Sequence, residues 1–236
     1  MKSLSLSTKQ KYNKIYFMHI HKTGGRHIIS TVRDAMLETL NENDIKIIKR
    51  PNTHGGWHSE VDEQTYVFTV LRDPVEQAVS LYAHQISLNK MGDIKEEYDK
   101  SKLTKEHFFI WLQEKDLYPN FQAKHFLGDE LYFVRDHPQN MFHVQLNFDE
   151  KFLEARKNRV NLFLNNNNID GRSIEIQEKI FLDLGIKGTP KAVESKKPSV
   201  NPESKILYDT LTEEERDFVR KYSPIDDYLY KNVKYF

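Results

Sequence analysis

The sequence predicts an α/β fold built on a parallel sheet, and three observations lead there. Two short apolar runs each pass through a turn into an amphipathic helix. A glycine pair punctuates the first turn, and an Arg-Asp-Pro punctuates the second. The chain has 236 residues, 38% of them hydrophobic, enough to bury one sizeable core. We expect one domain over 1–236, with a flexible segment over 1–14.

Ile15 to Ile20 (IYFMHI) is rich in β-branched and aromatic residues and reads as a strand that ends at Lys22-Thr23-Gly24-Gly25. From His27 to Leu40, the residues Ile28, Val32, Ala35, Met36 and Leu40 recur at spacings of three and four, which predicts a helix with one buried face. Tyr66 to Leu71 (YVFTVL) is nearly continuous in apolar residues and suits a buried strand. Asp73 stands as N-cap with Pro74 in the first turn, and Val75, Ala78, Val79, Tyr82 and Ile86 mark one face of the helix that follows. In open α/β sheets ligands bind beyond the carboxyl ends of the strands, so both turns should open on that side.

Lys90 to Lys105 is charged and reads as an exposed loop or helical edge. Helices are expected from about Lys105 to Glu114 and from Pro119 to Phe126, with a short strand at Leu131 to Val134. No element is assigned between Asp149 and Ile169, where Asn165 to Asn168 reads as a loop. Glu175 to Leu184 reads as a helix stopped by Gly185, and Thr212 with Glu215 forms a capping box opening a helix to Lys221. There is no internal repeat.

With 35 Lys+Arg against 35 Asp+Glu, no global field draws the protein to nucleic acid or an anionic membrane, so any anion site is local. The absence of cysteine excludes disulfides and thiolate metal sites. No stretch reads as a signal peptide or membrane span, which gives a soluble, cytoplasmic expectation; a Golgi-lumenal one would need an N-terminal anchor that had been removed. Oligomeric state is not legible.

The segment His19-Ile20-His21-Lys22-Thr23-Gly24-Gly25-Arg26 carries the first chemistry. Glycines let the main chain turn its N–H groups inward, the next helix adds its dipole, and lysine adds a point charge; together they make a cradle for phosphate or sulfate. The spacing is not that of a Walker loop. A plain strand-to-helix turn is the competing reading. In the second segment, Arg72 leaves the buried strand and Ser80 follows two helical turns later, so a guanidinium and a hydroxyl can converge on one phosphate. The alternative has Arg72 paired with Asp73 or another carboxylate as structural glue.

HIHKTGG, followed about fifty residues later by FTVLRDPVEQAVSLY, closely resembles the paired donor-binding motifs of carbohydrate sulfotransferases related to heparan sulfate 2-O- and 6-O-sulfotransferases. The resemblance covers roughly residues 15 to 86 well. It implies a three-layer, P-loop-like nucleotide-binding (sulfotransferase) fold and the donor 3′-phosphoadenosine 5′-phosphosulfate (PAPS), with adenosine 3′,5′-bisphosphate as product. Lys22, Thr23, Gly24 and Gly25 would hold the 5′-phosphosulfate, and Arg72 with Ser80 the 3′-phosphate. The chain departs from the family pattern at Arg26, His27 and Gln77; Arg26 would add a donor contact or enter acceptor space.

Transfer to a hydroxyl needs a base, and histidine suits it at neutral pH. The family resemblance puts that base between the two motifs, where His58 in GWHSE is the first choice and His54 the reserve. Lys22 would stabilise charge on the leaving oxygen. His54, His58, His19 and His21 are also a candidate metal set, but Gly55 and Gly56 argue against the helix such a pair needs, and no metal is expected. The resemblance extends thinly to Asn120 and Gln122, which with His21 would face the acceptor, and to Lys197 and Ser199 in a basic loop over the nucleotide. Asn120 as a helix cap and the basic loop as solvated surface are the alternatives.

The expected function is sulfuryl transfer from PAPS to a hydroxyl, with a glycan as the expected acceptor. The rivals are a nucleotide- or glycan-binding module of the same fold and a divergent small-molecule kinase.

Overall fold

A computed structural model describes residues 11–48, 56–88, 100–114, 120–128, 149–194 and 202–236. The expected strand at Leu131 to Val134 lies outside these residues, as do His54, Lys197 and Ser199. Four strands form one sheet: β1 (Lys14–Met18), β2 (Lys46–Ile48), β3 (Thr65–Leu71) and β4 (Leu162–Asn165), in the order β2-β1-β3-β4. Every pairing is parallel, with Met18 opposite Thr69 and Leu71 opposite Asn165. The all-parallel α/β architecture predicted from the strand-to-helix units is therefore present.

Alternation along the strands divides the core. Ile15, Phe17, Tyr66, Phe68, Val70, Leu162 and Leu164 point to one face, where they meet Ile28, Val32, Met36 and Leu40 and the apolar stripe of a later helix. Tyr16, Met18, Val67, Leu71 and Phe163 point to the other, against Trp57, Phe126, Leu153 and Leu229. Both faces are thus covered, as a parallel sheet requires.

The helix predicted from His27 to Leu40 is broken into α1 (Gly25–Ile28), a π-helical turn (Ile29–Arg33) and α2 (Leu37–Glu42). Ser30 Oγ donates to the carbonyls of Arg26 and His27, and Thr31 Oγ1 to that of His27, so hydroxyls compete for the carbonyls of the first turn. The ladder slips by one residue, and Asp34 N donates to Ile29 O at 2.9 Å. The apolar spacing still buries one face.

α3 (Pro74–Leu88) opens as predicted, with Asp73 Oδ1 accepting from the main chain of Val75 and Glu76 at 2.9 and 3.2 Å. It packs with α4 (Lys105–Glu114), α8 (Pro202–Asp209) and α9 (Glu213–Tyr222) around a separate cluster that includes Val79, Tyr82, Phe108 and Leu207. Between these lie α5 (Phe121–Leu127), α6 (Glu150–Asn158) and α7 (Ser173–Leu184), and α10 (Pro224–Lys231) follows. Gly185 caps α7 in the left-handed region (φ 67°), and the Thr212/Glu215 capping box is formed. No helix among the described residues is long and apolar enough to cross a membrane.

One clasp ties the distant parts together. Asn120 Oδ1 accepts from the main chain of Ile225 (2.7 Å) and Asp226 (3.3 Å) in the first turn of α10. Asp226 in turn accepts from the main chain of Gln122 (3.0 Å) and Ala123 (2.7 Å) in the first turn of α5. Each helix start is thus capped by a side chain from the other.

Candidate functional site

The first turn leaves β1 at the carboxyl edge of the sheet. Two of its residues lie in the left-handed region, Lys22 (φ 65°) and Gly24 (φ 86°). For Lys22 this costs on the order of 1 kcal/mol and places the residue among those held in strained geometry, which cluster at functional sites. Thr23 Oγ1 donates to Ile20 O at 2.9 Å and locks the turn from inside. A Cβ on Gly25 would stand 1.9 Å from the His19 ring, so only glycine fits there. A glycine turn with left-handed residues at 22 and 24 that runs straight into the first turn of α1 is a main-chain geometry able to form an anion-binding nest.

The second segment faces the first. Arg72, buried at the end of β3, reaches back over the turn, with Nη1 3.4 Å from the Lys22 carbonyl oxygen. Its Nε pairs with Glu76 at 3.1 Å, which realises the structural-glue alternative as well and holds the fork in one orientation. The remaining guanidinium N–H groups are uncommitted among the described residues. The backbone of Arg72 is fixed on both sides by one buried amide: Gln122 Oε1 accepts from Arg72 N at 3.0 Å, and Gln122 Nε2 donates to Arg72 O at 2.7 Å.

One stripe of α3 lies along the turn. Gln77 Nε2 donates to the His21 carbonyl at 2.9 Å, and the His84 ring meets the His21 ring edge-on at 5.2 Å. Residues 77, 80 and 84 share a helix face, so Ser80, 3% exposed, sits between those two contacts and on the side of the turn. Arg26 is exposed beyond the turn, and His21 is half-buried against His84 and Phe121. Burial, with Arg72 and Arg26 as neighbours, pulls the Lys22 ammonium down to about 8. Burial and the charges of Lys22 and Arg26 push His84 down to about 4. Among the described residues, Glu76 is paired with Arg72, and Asp73 is turned to the helix start and to Arg220 at 3.5 Å.

Not every expected residue joins this group. His58 sits on a loop fastened to the amino ends of the strands: Lys14 pairs with Asp62 at 2.6 Å and Lys46 with Glu60. Its Nδ1 accepts from Glu60 N at 3.0 Å, and its ring lies 6.2 Å from that of Tyr16. Tyr16, the residue its ring meets, lies in the middle of β1. Asn120 and Gln122 spend their side chains on the α10 start and on Arg72, so both act as braces rather than as groups turned to an acceptor.

Sequence reasoning missed Glu76, Gln77 and His84 as neighbours of the turn. The helical stripe 77, 80, 84 was legible once Ser80 was chosen, and following it one turn further would have found His84. Asn166 was also missed. It lies just beyond β4, is 2% exposed, and packs its Oδ1 where a Cβ on Gly24 would come within 2.3 Å. Neither of its amide atoms makes a hydrogen bond. The strand ahead of it is short and edged by asparagines, which hid both.

Comparison with protein-family models, with curated proteins and with solved structures finds no match to this chain.

Proposed function

We propose that the protein is a PAPS-dependent sulfotransferase that moves a sulfuryl group to a hydroxyl, with a carbohydrate as the favoured acceptor class. One observation carries the reading: the Arg72 guanidinium stands 3.4 Å from the Lys22 carbonyl, so two cationic cradles on adjacent parallel strands face one another. A donor with a 5′-phosphosulfate and a separate 3′-phosphate needs two such cradles, whereas a single phosphate needs one. The three-layer P-loop-like arrangement is part of this reading.

In this assignment, the nest of residues 22–25 and the Lys22 ammonium hold the 5′ end and receive the charge that builds on the leaving phosphate oxygen. The free N–H groups of Arg72 and the Ser80 hydroxyl hold the 3′-phosphate. Arg26 extends the positive field to solvent at the mouth. Most of the acceleration comes from alignment and electrostatics. The kinase alternative loses support because the Asp73 carboxylate is spent on capping α3 and on Arg220. The hydrogen bond that His58 Nδ1 accepts from Glu60 N engages one ring nitrogen of the proposed base, which lends support to the binding-module alternative.

A thermal-shift comparison of adenosine 3′,5′-bisphosphate with ATP plus magnesium tests the donor assignment. Stabilisation by the bisphosphate alone is expected, and stabilisation by ATP with magnesium alone would overturn it. Labelled PAPS incubated with a panel of glycans then separates enzyme from module: transfer of label is expected.

A further inference from the structure

One polar side chain that touches the glycine turn has no part in the donor assignment above. β4 ends at Asn165, opposite Leu71, so the next positions of the two strands, Asn166 and Arg72, leave the sheet together at its carboxyl edge. There Asn166 packs against the turn, with its Oδ1 where a Cβ on Gly24 would collide. The residue is 2% exposed, and among the described residues neither Oδ1 nor Nδ2 has a hydrogen-bond partner. A carboxamide in this state has given up water and received nothing in exchange. Its neighbours along β4 differ. Asn161 accepts from Val67 N and donates to the Tyr12 hydroxyl, both at 2.7 Å. Asn165 accepts from Asn167 N and donates to the Tyr230 hydroxyl, both at 3.0 Å. Those two asparagines hold structure together with both amide atoms, and Asn166 uses neither. The same flank carries a second such group: His27, whose N donates to Gly24 O at 3.0 Å, makes no hydrogen bond at either ring nitrogen, with Asp170 Oδ1 3.6 Å from Nε2.

We propose that the Asn166 carboxamide is a binding residue of the glycine turn, a neutral donor that gains its hydrogen bond when the 5′ oxyanion of the nucleotide sits there. The inference rests on the donor assignment above and adds to it a residue from a third strand. A carboxamide offers two N–H donors and carries no charge, so it can hold an anion's oxygen without adding to the repulsion among Lys22, Arg26 and Arg72. A hydrogen bond to an ionised oxygen is also roughly twice as strong as one between neutral groups. Without ligand the protein carries the cost of the unpaired amide, and the bound anion removes it. Stability is thus given up for affinity at this position, the exchange expected of a binding residue and not of a brace.

The test uses the full chain with Asn166→Leu, close to asparagine in shape but without polar atoms, and reads two quantities. The first is the urea midpoint without ligand, which should equal or exceed that of the parent, because no protein hydrogen bond is lost. The second is affinity by calorimetry for adenosine 3′,5′-bisphosphate and for adenosine 3′-monophosphate, which lacks the 5′ group. Bisphosphate affinity should fall about tenfold or more, the size of one hydrogen bond to a charged oxygen, while 3′-monophosphate affinity stays within about threefold of the parent. Should leucine not fit beside Gly24, Asn166→Ala carries the same affinity readout, with the same split expected. Bisphosphate affinity within about threefold of the parent, or equal losses for both nucleotides, would overturn the role of Asn166 while leaving the donor site standing. A parent that does not bind the bisphosphate overturns the proposed function itself, and the inference with it.

Discussion

At the scale of single residues, the site depends on conformations that few side chains tolerate. Gly25→Ala drives a methyl into the His19 ring, and we expect a loss of about 1–3 kcal/mol in urea unfolding. An unchanged midpoint would show that His19 can move aside. Arg72→Lys keeps the charge but loses the fork that spans Glu76 and the Lys22 carbonyl. Bisphosphate affinity should fall about 10- to 100-fold by calorimetry, the size of one or two charge-assisted hydrogen bonds. Lys22 adds a pH signature. Its free ammonium titrates near 8, and a bound anion favours the charged form, so affinity holds below about 8 and falls above it. Binding at pH 8.5 should then take up protons, visible as a dependence of the calorimetric heat on buffer ionisation enthalpy.

Among elements, the reciprocal caps of α5 and α10 transmit position to the site, because the same α5 turn supplies the Gln122 that grips Arg72 on both sides. Gln122→Ala leaves two buried main-chain groups of Arg72 without partners, and we expect about 2–4 kcal/mol of destabilisation together with weaker bisphosphate binding. The clasp has its own pH dependence. Burial raises the Asp226 carboxyl from 3.8 to about 7, against the pull of the Gln122 and Ala123 N–H groups. The native state therefore binds more protons than the unfolded chain between those values, and this group's contribution to stability falls as pH rises from about 4 to 7. Urea melts at pH 5 and 7.5 should show a smaller difference in Asp226→Asn than in the parent.

The strand-to-helix units at Ile15 and Tyr66, the Asp73 cap, the Gly185 stop and the capping box were all legible, because each is a local pattern whose physics is complete within a few residues. β2 and β4 were not, being three and four residues long and held by neighbours on the sheet rather than by periodicity. The π-helical turn was hidden for a related reason: hydroxyl competition at Ser30 and Thr31 leaves the apolar spacing intact. The placement of His58 was illegible too, since the neighbouring Gly56 and Trp57 are held by buried hydrogen bonds to Tyr16, Phe126 and Gly128, long-range contacts that leave no spacing signature.

For the whole molecule, a chain with equal numbers of acidic and basic residues concentrates Lys22, Arg26 and Arg72 at one edge of a parallel sheet. That local excess, opposed by no nearby uncommitted carboxylate among the described residues, is what an anionic ligand would neutralise. Two facing cradles predict a preference that a general cationic surface lacks. Calorimetric titration of the parent protein with adenosine 3′,5′-bisphosphate and with adenosine 5′-monophosphate measures it directly. The account predicts at least about tenfold tighter binding of the bisphosphate, the worth of the second phosphate's contacts to Arg72 and Ser80. Equal affinities, or no binding of the bisphosphate at all, would contradict it.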